Sequence, residues 1–275
     1  MISFINWFIE PLSYSFMQNA LFMALIIAII CAVLSCYLIL KGWSLIGDAI
    51  SHSVLPGIVL AYLFKIPLII GALLSGLFCA FSIGYLKENS RIKEDTAIGI
   101  VFSGMFSFGL VLFSKVDTEQ HLSHILFGNL LGVSPQALIQ TLLISSIIFL
   151  IIMLRKKDFL LYCFDPSHTR IVGLAPKVLH YSLLCLLALT IITTMQMVGI
   201  ILVTAMLIAP GITAYIVTKN FNKMLLIAIS TASLTSFLGI IISYHINSST
   251  APTIVLLQSL CFILALSYNK LLNSR

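Results

Sequence analysis

Charge is what this sequence has least of: only 9% of its 275 residues are Asp, Glu, Lys or Arg, while 60% are hydrophobic. A soluble domain carries about a quarter charged residues. So few charges cannot cover a surface that faces water, and lipid is therefore the expected solvent for most of the chain. The nucleotide loop GxxxxGK[ST] is missing, which excludes P-loop ATP hydrolysis by this chain. HExxH is missing too, which removes the zinc-protease reading. An intramembrane aspartyl protease needs two carboxylates, and only one lies inside an apolar run. The six cysteines show no CxxC spacing, so neither a disulfide framework nor a zinc knuckle is indicated. No cleavable signal peptide is expected, because residues 1–17 hold no Lys or Arg and no small-residue cleavage site. The net charge of +6 is spread over short loops. That pattern suits membrane orientation and argues against nucleic acid as a partner.

What is present is a series of long apolar runs. A helix needs about 20 apolar residues to cross the hydrocarbon core. Runs of that kind cover 18–40, 44–64, 67–87, 96–114, 135–154, 178–195, 198–218, 223–244 and 251–270. The expected fold is an all-α, polytopic transmembrane bundle of one domain (1–275) with 8–9 spans. The count drops to eight if 178–218, interrupted around Gln196 and Gly199, is continuous. The polar run 41–48 leaves room for a re-entrant start to the second span. Residues 1–17, with Trp7, Phe8 and Tyr14, suit the headgroup zone as an interfacial segment.

Lys and Arg set the expected orientation. With the loop 155–177 in the cytoplasm, thirteen of the fifteen basic residues fall on that side, and only Lys65 and Lys115 lie opposite. The N-terminus then faces out and the C-terminus in. Two loops are longer than a connection needs. The outer one, 115–134, is half polar. The cytosolic one, 155–177, holds a short helix with Asp165 as N-cap and Pro166 as first helical residue, ended by Gly173 and Pro176. Such a helix suggests docking of a soluble partner, or simply an ordered loop.

Of nine acidic residues, eight lie in loops or at span ends; the ninth is Asp48, within GWSLIGDAISHSVLPG. His52 follows four residues later, on the same helix face and about 6 Å along the axis. An ionisable group at membrane depth costs roughly 2.5–3.5 kcal/mol and is normally paired or functional. Pro56 and Gly57 weaken the helix just beyond, and broken helices commonly build transporter sites. Two readings follow: a structural Asp–His hydrogen bond, or a cation site. Carboxylate plus imidazole suits Mn2+, Fe2+ or Zn2+. One chain supplies two of the four to six ligands such ions take; a twofold axis beside this helix supplies two Asp and two His. Weaker candidates are Ser51 beside His52, and His121 and His124 in the outer loop, where a solvated loop is the competing reading. A proton-coupled secondary metal carrier using Asp48 and His52 as a relay is the alternative mechanism.

The run Gly42 to Gly57 resembles the signature of the manganese/zinc/iron ABC-importer permease family. His124–Asn129 is similar to that family's outer-loop motif. Phe164-Asp165-Pro166, followed by Gly173-Leu174, resembles its coupling-helix segment, and Val198–Val203 through Ala209-Pro210 its seventh span. The similarity covers essentially the whole chain in order. It implies a type II ABC-importer-like permease in the bacterial cytoplasmic (inner) membrane, without enzyme activity of its own. It further implies a homodimer with two ATP-binding cassette ATPase subunits, an extracytoplasmic metal-binding protein that delivers the ion, and no permanently bound cofactor. By the same resemblance Asp48 and His52 line the metal path. Phe164, Asp165, Pro166, Ser167, His168, Arg170 and Gly173 belong to the ATPase-coupling segment. Ser167-His168-Thr169-Arg170 departs from relatives, which often carry an acidic residue followed by small apolar ones.

Overall fold

The sequence folds as helices throughout the computed structural model, which describes residues 7, 10–115, 130–132 and 134–273. In chain order they are α1 (Ser15–Lys41), α2 (Ile46–Ser53), α3 (Leu55–Leu63), α4 (Leu68–Asn89), α5 (Glu94–Phe113) and α6 (Pro135–Leu154). There follow α7 (Lys156–Phe164), α8 (Pro166–Ile171), α9 (Pro176–Val198), α10 (Ile200–Val217), α11 (Phe221–Ile246) and α12 (Thr250–Asn273). Taking α2 and α3 as one broken span, nine segments among the described residues are long and apolar enough to cross a membrane. The chain is a multi-pass, all-α membrane protein. The upper span count holds because Gly199 separates α9 from α10. Its φ of 81° and ψ of 164° lie in a region open essentially to glycine alone.

The core forms around α1, which packs mainly against α10 and α11. From Ile30 to Leu38 every residue is buried, so these turns are enclosed on all sides. That suits a helix apolar all round its circumference. The peripheral spans α5, α6 and α12 bury few of their residues.

Several hydroxyl groups inside the bundle are satisfied locally. Thr190, Thr194, Thr213, Thr235 and Ser236 all donate to the carbonyl four residues back. Pro210, inside α10, has no N–H for the helical ladder. Ser35 on α1 meets that irregularity: the Gly211 N–H donates to its Oγ at 2.9 Å, and the hydroxyl donates to the Ile208 carbonyl at 3.3 Å. The same logic closes the break in the second span. Ser75 Oγ on α4 donates to the Ser53 carbonyl at 2.6 Å, beside Val54 and Pro56. There α3 and α4 touch backbone to backbone, since a Cβ on Gly57 or on Gly71 would run into the other's carbonyl.

Basic residues of several connecting segments meet at one end, here the basic end. Lys177 pairs with Glu88 at 3.0 Å, Lys156 Nζ donates to Asn222 at 2.7 Å, and Arg155 pairs with Asp158 at 2.9 Å. At the opposite end Trp7 stacks on His245, ring centroids 4.4 Å apart, and its carbonyl lies 2.8 Å from His245 Nε2.

Candidate metal-path site

Asp48 enters the first turn of α2 and His52 its last, so both lie on one stripe. A carboxylate there meets the unsatisfied N–H groups of the helix start. The other side of α2 is packed: Ile46, Gly47, Ala49, Ile50, Ser51 and Ser53 are buried. The sequence leads one to expect a buried carboxylate, and the structure corrects this. Asp48 is exposed on the single chain, with Ser44 and Leu45 exposed beside it. The helix spends its apolar face on the core, so the ionisable stripe is left pointing away from it. Asp48 also sits only one turn from the basic end rather than at mid-membrane, and the helix break comes beyond it, at Val54.

His52 is half-buried. Its ring lies between Phe102 and Phe106 of α5, at centroid distances of 5.7 and 5.3 Å. Sequence reasoning did not single out these phenylalanines. Their spacing of four marks one face of α5, but nothing in the sequence ties that face to α2. The pair fixes the imidazole plane without supplying a hydrogen bond, which leaves both ring nitrogens available to a ligand. No hydrogen bond joins Asp48 to His52 among the described residues, so the structural Asp–His bond that the sequence allowed is not formed. Ser51 is turned away: it is buried and donates to the Gly47 carbonyl at 2.7 Å. His121 and His124 lie outside the described residues. No group of three His, Cys, Asp or Glu side chains able to hold a metal occurs among the described residues.

The segment 164–173 takes the helix geometry its sequence implies. Asp165 caps α8, accepting from the N–H groups of Ser167 (2.8 Å) and His168 (3.0 Å) through one carboxylate oxygen. Pro166 is its first residue, and Gly173 follows the helix at φ 86°. Thr169 is buried and ties back to the Asp165 carbonyl at 2.8 Å. Ser167, His168 and Arg170 are exposed, as are the apolar Phe164, Ile171 and Val172. A rigid, capped helix with solvent-facing apolar groups is thus held beside the span ends. Behind it the Cys163 thiol is pushed up to about 12 by burial.

The model of the ABC 3 transport family matches residues 13–269. The chain belongs to that family. Among ABC 3 relatives, a Haemophilus influenzae protein named as a probable iron transport system membrane protein is 66% identical, covering 97% of this chain and 98% of its own. The manganese transport system membrane protein MntB of Synechocystis is 48% identical, over 96% of this chain and 86% of its own. Among solved structures, PsaBC from Streptococcus pneumoniae in complex with a Fab superposes with a TM-score of 0.83 at 38% identity, covering 95% of each chain. The resemblance to metal-ion ABC-importer permeases, drawn from the motifs, therefore holds at the level of family, as does the all-α permease fold.

Proposed function

We propose that this chain is the permease subunit of an inner-membrane ABC importer for Mn2+ or Fe2+, with Zn2+ as the nearest variant. Asp48 and His52 from each of two copies ligate the ion in transit. The observation that carries this reading is the open stripe on α2. A carboxylate lies exposed on an otherwise apolar protein, a turn from an imidazole that lacks a hydrogen bond. A second copy across a twofold axis covers that stripe and completes a set of two carboxylates and two imidazoles, fit for a transition-metal ion. The relatives' names, for iron, chelated iron and manganese transport, support the choice of ions.

ATP hydrolysis falls to separate cassette subunits, which α8 meets through Phe164, Ser167, His168 and Ile171. The basic end faces the cytoplasm, and an extracytoplasmic binding protein delivers the ion to the opposite end. No permanently bound cofactor is required.

The test is ATP-dependent uptake of radiolabelled Mn2+ in vesicles carrying the chain with its ATPase and binding protein, with Fe2+ and Zn2+ as competitors. Loss of an outer-shell partner at a metal site commonly costs 10–100-fold, so loss of a direct ligand should cost more than about tenfold. Asp48→Ala and His52→Ala are each expected to reduce uptake by at least that much with subunit assembly intact. Undiminished uptake in both would sink the assignment. Uptake by the chain alone, driven by a proton gradient, would favour the secondary-carrier mechanism instead.

A further inference from the structure

A cavity of about 370 Å3, lined largely by charged side chains, opens at the basic end. Four cations line it: Lys41 at the end of α1, Lys87 in the last turn of α4, Arg170 on α8 and Lys177 in the first turn of α9. A single carboxylate, Glu88, faces them, and it is taken up by its ion pair with Lys177. The cavity is therefore strongly positive, and its volume falls in the range of small-ligand sites, about 300–1,000 Å3.

Its floor is built and ordered. Lys41 Nζ lies 4.0 Å above the centre of the Tyr162 ring, and Tyr162 OH is 2.8 Å from His180 Nδ1. His180 is 7% exposed, and its Nε2 has no hydrogen-bond partner in this structure. A buried polar atom left unpaired is costly unless something else answers it.

The setting says what the ligand is. Three spans end at this level, so the cavity lies at the boundary between hydrocarbon and water. Within two turns of the span ends, Phe81 and Tyr85 on α4 and Val178 on α9 are 46%, 64% and 66% exposed. Tyr181 stacks on Phe81 at 5.5 Å. A cluster of cations at the span ends, with outward aromatic and apolar residues on the same two helices, matches a lipid in both of its parts, an anionic head and acyl chains. The exposed apolar residues of α8 itself, Phe164 and Ile171, mark a separate surface for a protein partner.

We infer that this cavity binds the phosphate of an anionic phospholipid, whose acyl chains run along the Phe81, Tyr85 and Val178 surface. Lys41, Lys87 and Arg170 hold the headgroup. Because Arg170 belongs to α8, the lipid braces that helix against the ends of α4 and α9. The site is independent of the transported ion.

Retention is measured by native mass spectrometry of the full chain released from phosphatidylcholine nanodiscs, with and without added phosphatidylglycerol. The variant is Lys87→Gln with Arg170→Gln. The control is Lys219→Gln with Lys223→Gln, two exposed cations of the same end outside the cavity. Each cation near an anionic headgroup favours binding by a factor of about five. The first pair should thus lower phosphatidylglycerol retention by about twenty-five-fold, and the control should leave it unchanged. Equal loss in both pairs would mean diffuse attraction to the membrane surface and overturn the site. Binding of inorganic phosphate in pure phosphatidylcholine, lost in the same variant, would reassign the cavity to a soluble anion. Stoichiometric release of the lipid when the ATPase subunit is added would reassign it to that subunit.

Discussion

Gly199 and Ser35 show how single residues shape the bundle at two different places. At Gly199 the backbone adopts a conformation that any Cβ strains. Gly199→Ala is expected to lower stability by about 1–3 kcal/mol, read as a drop in thermal midpoint in detergent. Ser35 accepts a hydrogen bond from the Gly211 N–H, one residue beyond Pro210. Ser35→Ala should cost about 0.5–1.5 kcal/mol, the net worth of one hydrogen bond. Ser35→Thr, which keeps the hydroxyl, separates that loss from crowding. The two residues differ in legibility. A glycine next to Gln196 in an apolar run already marks a boundary. A serine in such a run carries no trace of a partner 176 residues away. Asp48 and His52 were legible because charge is so scarce here. Their outward direction was not, because hydropathy does not distinguish a face turned to lipid from one turned to a second copy.

Among the elements, α8 is the one whose sequence and structure agree residue by residue. An Asp, a Pro and a Gly in fixed order specify its start, first turn and end through local chemistry, with no need of the rest of the fold. Asp165→Ala should weaken the helix by about 1 kcal/mol and reduce co-purification of the ATPase subunit severalfold. Asp165→Asn caps equally well and should restore it; failure of that rescue would point to the charge instead of the cap. The second span was half legible. Pro56 and Gly57 announce a break, but the Ser75 bond and the Gly57–Gly71 approach that hold it belong to α4. The outer loop with His121 and His124 stays an expectation of the sequence, since it lies outside the described residues.

Across the whole molecule burial is uneven: 72% of the apolar window of α1 is inside the chain, against 17% for α5 and α12. The lightly buried α5 stands beside the Asp48 stripe, where the proposed twofold axis passes. Leu45→Cys, at an exposed position next to Asp48, is therefore expected to link two copies through a short bifunctional thiol reagent in native membranes. A monomer-only result would argue against that axis. The central place of α1 also bears on how the protein is made. Among the described spans, the earliest along the chain is the one the bundle encloses most, and its Ser35 finds its partners only once α10 has been inserted. Until then α1 lacks its two main packing neighbours, α10 and α11. A ribosome-stalled chain ending before residue 200 should then leave α1 accessible to lipid-borne photo-crosslinkers, and one extended past α11 should hide it. The centre of this permease is completed late, as its seventh and eighth spans arrive to close around the first.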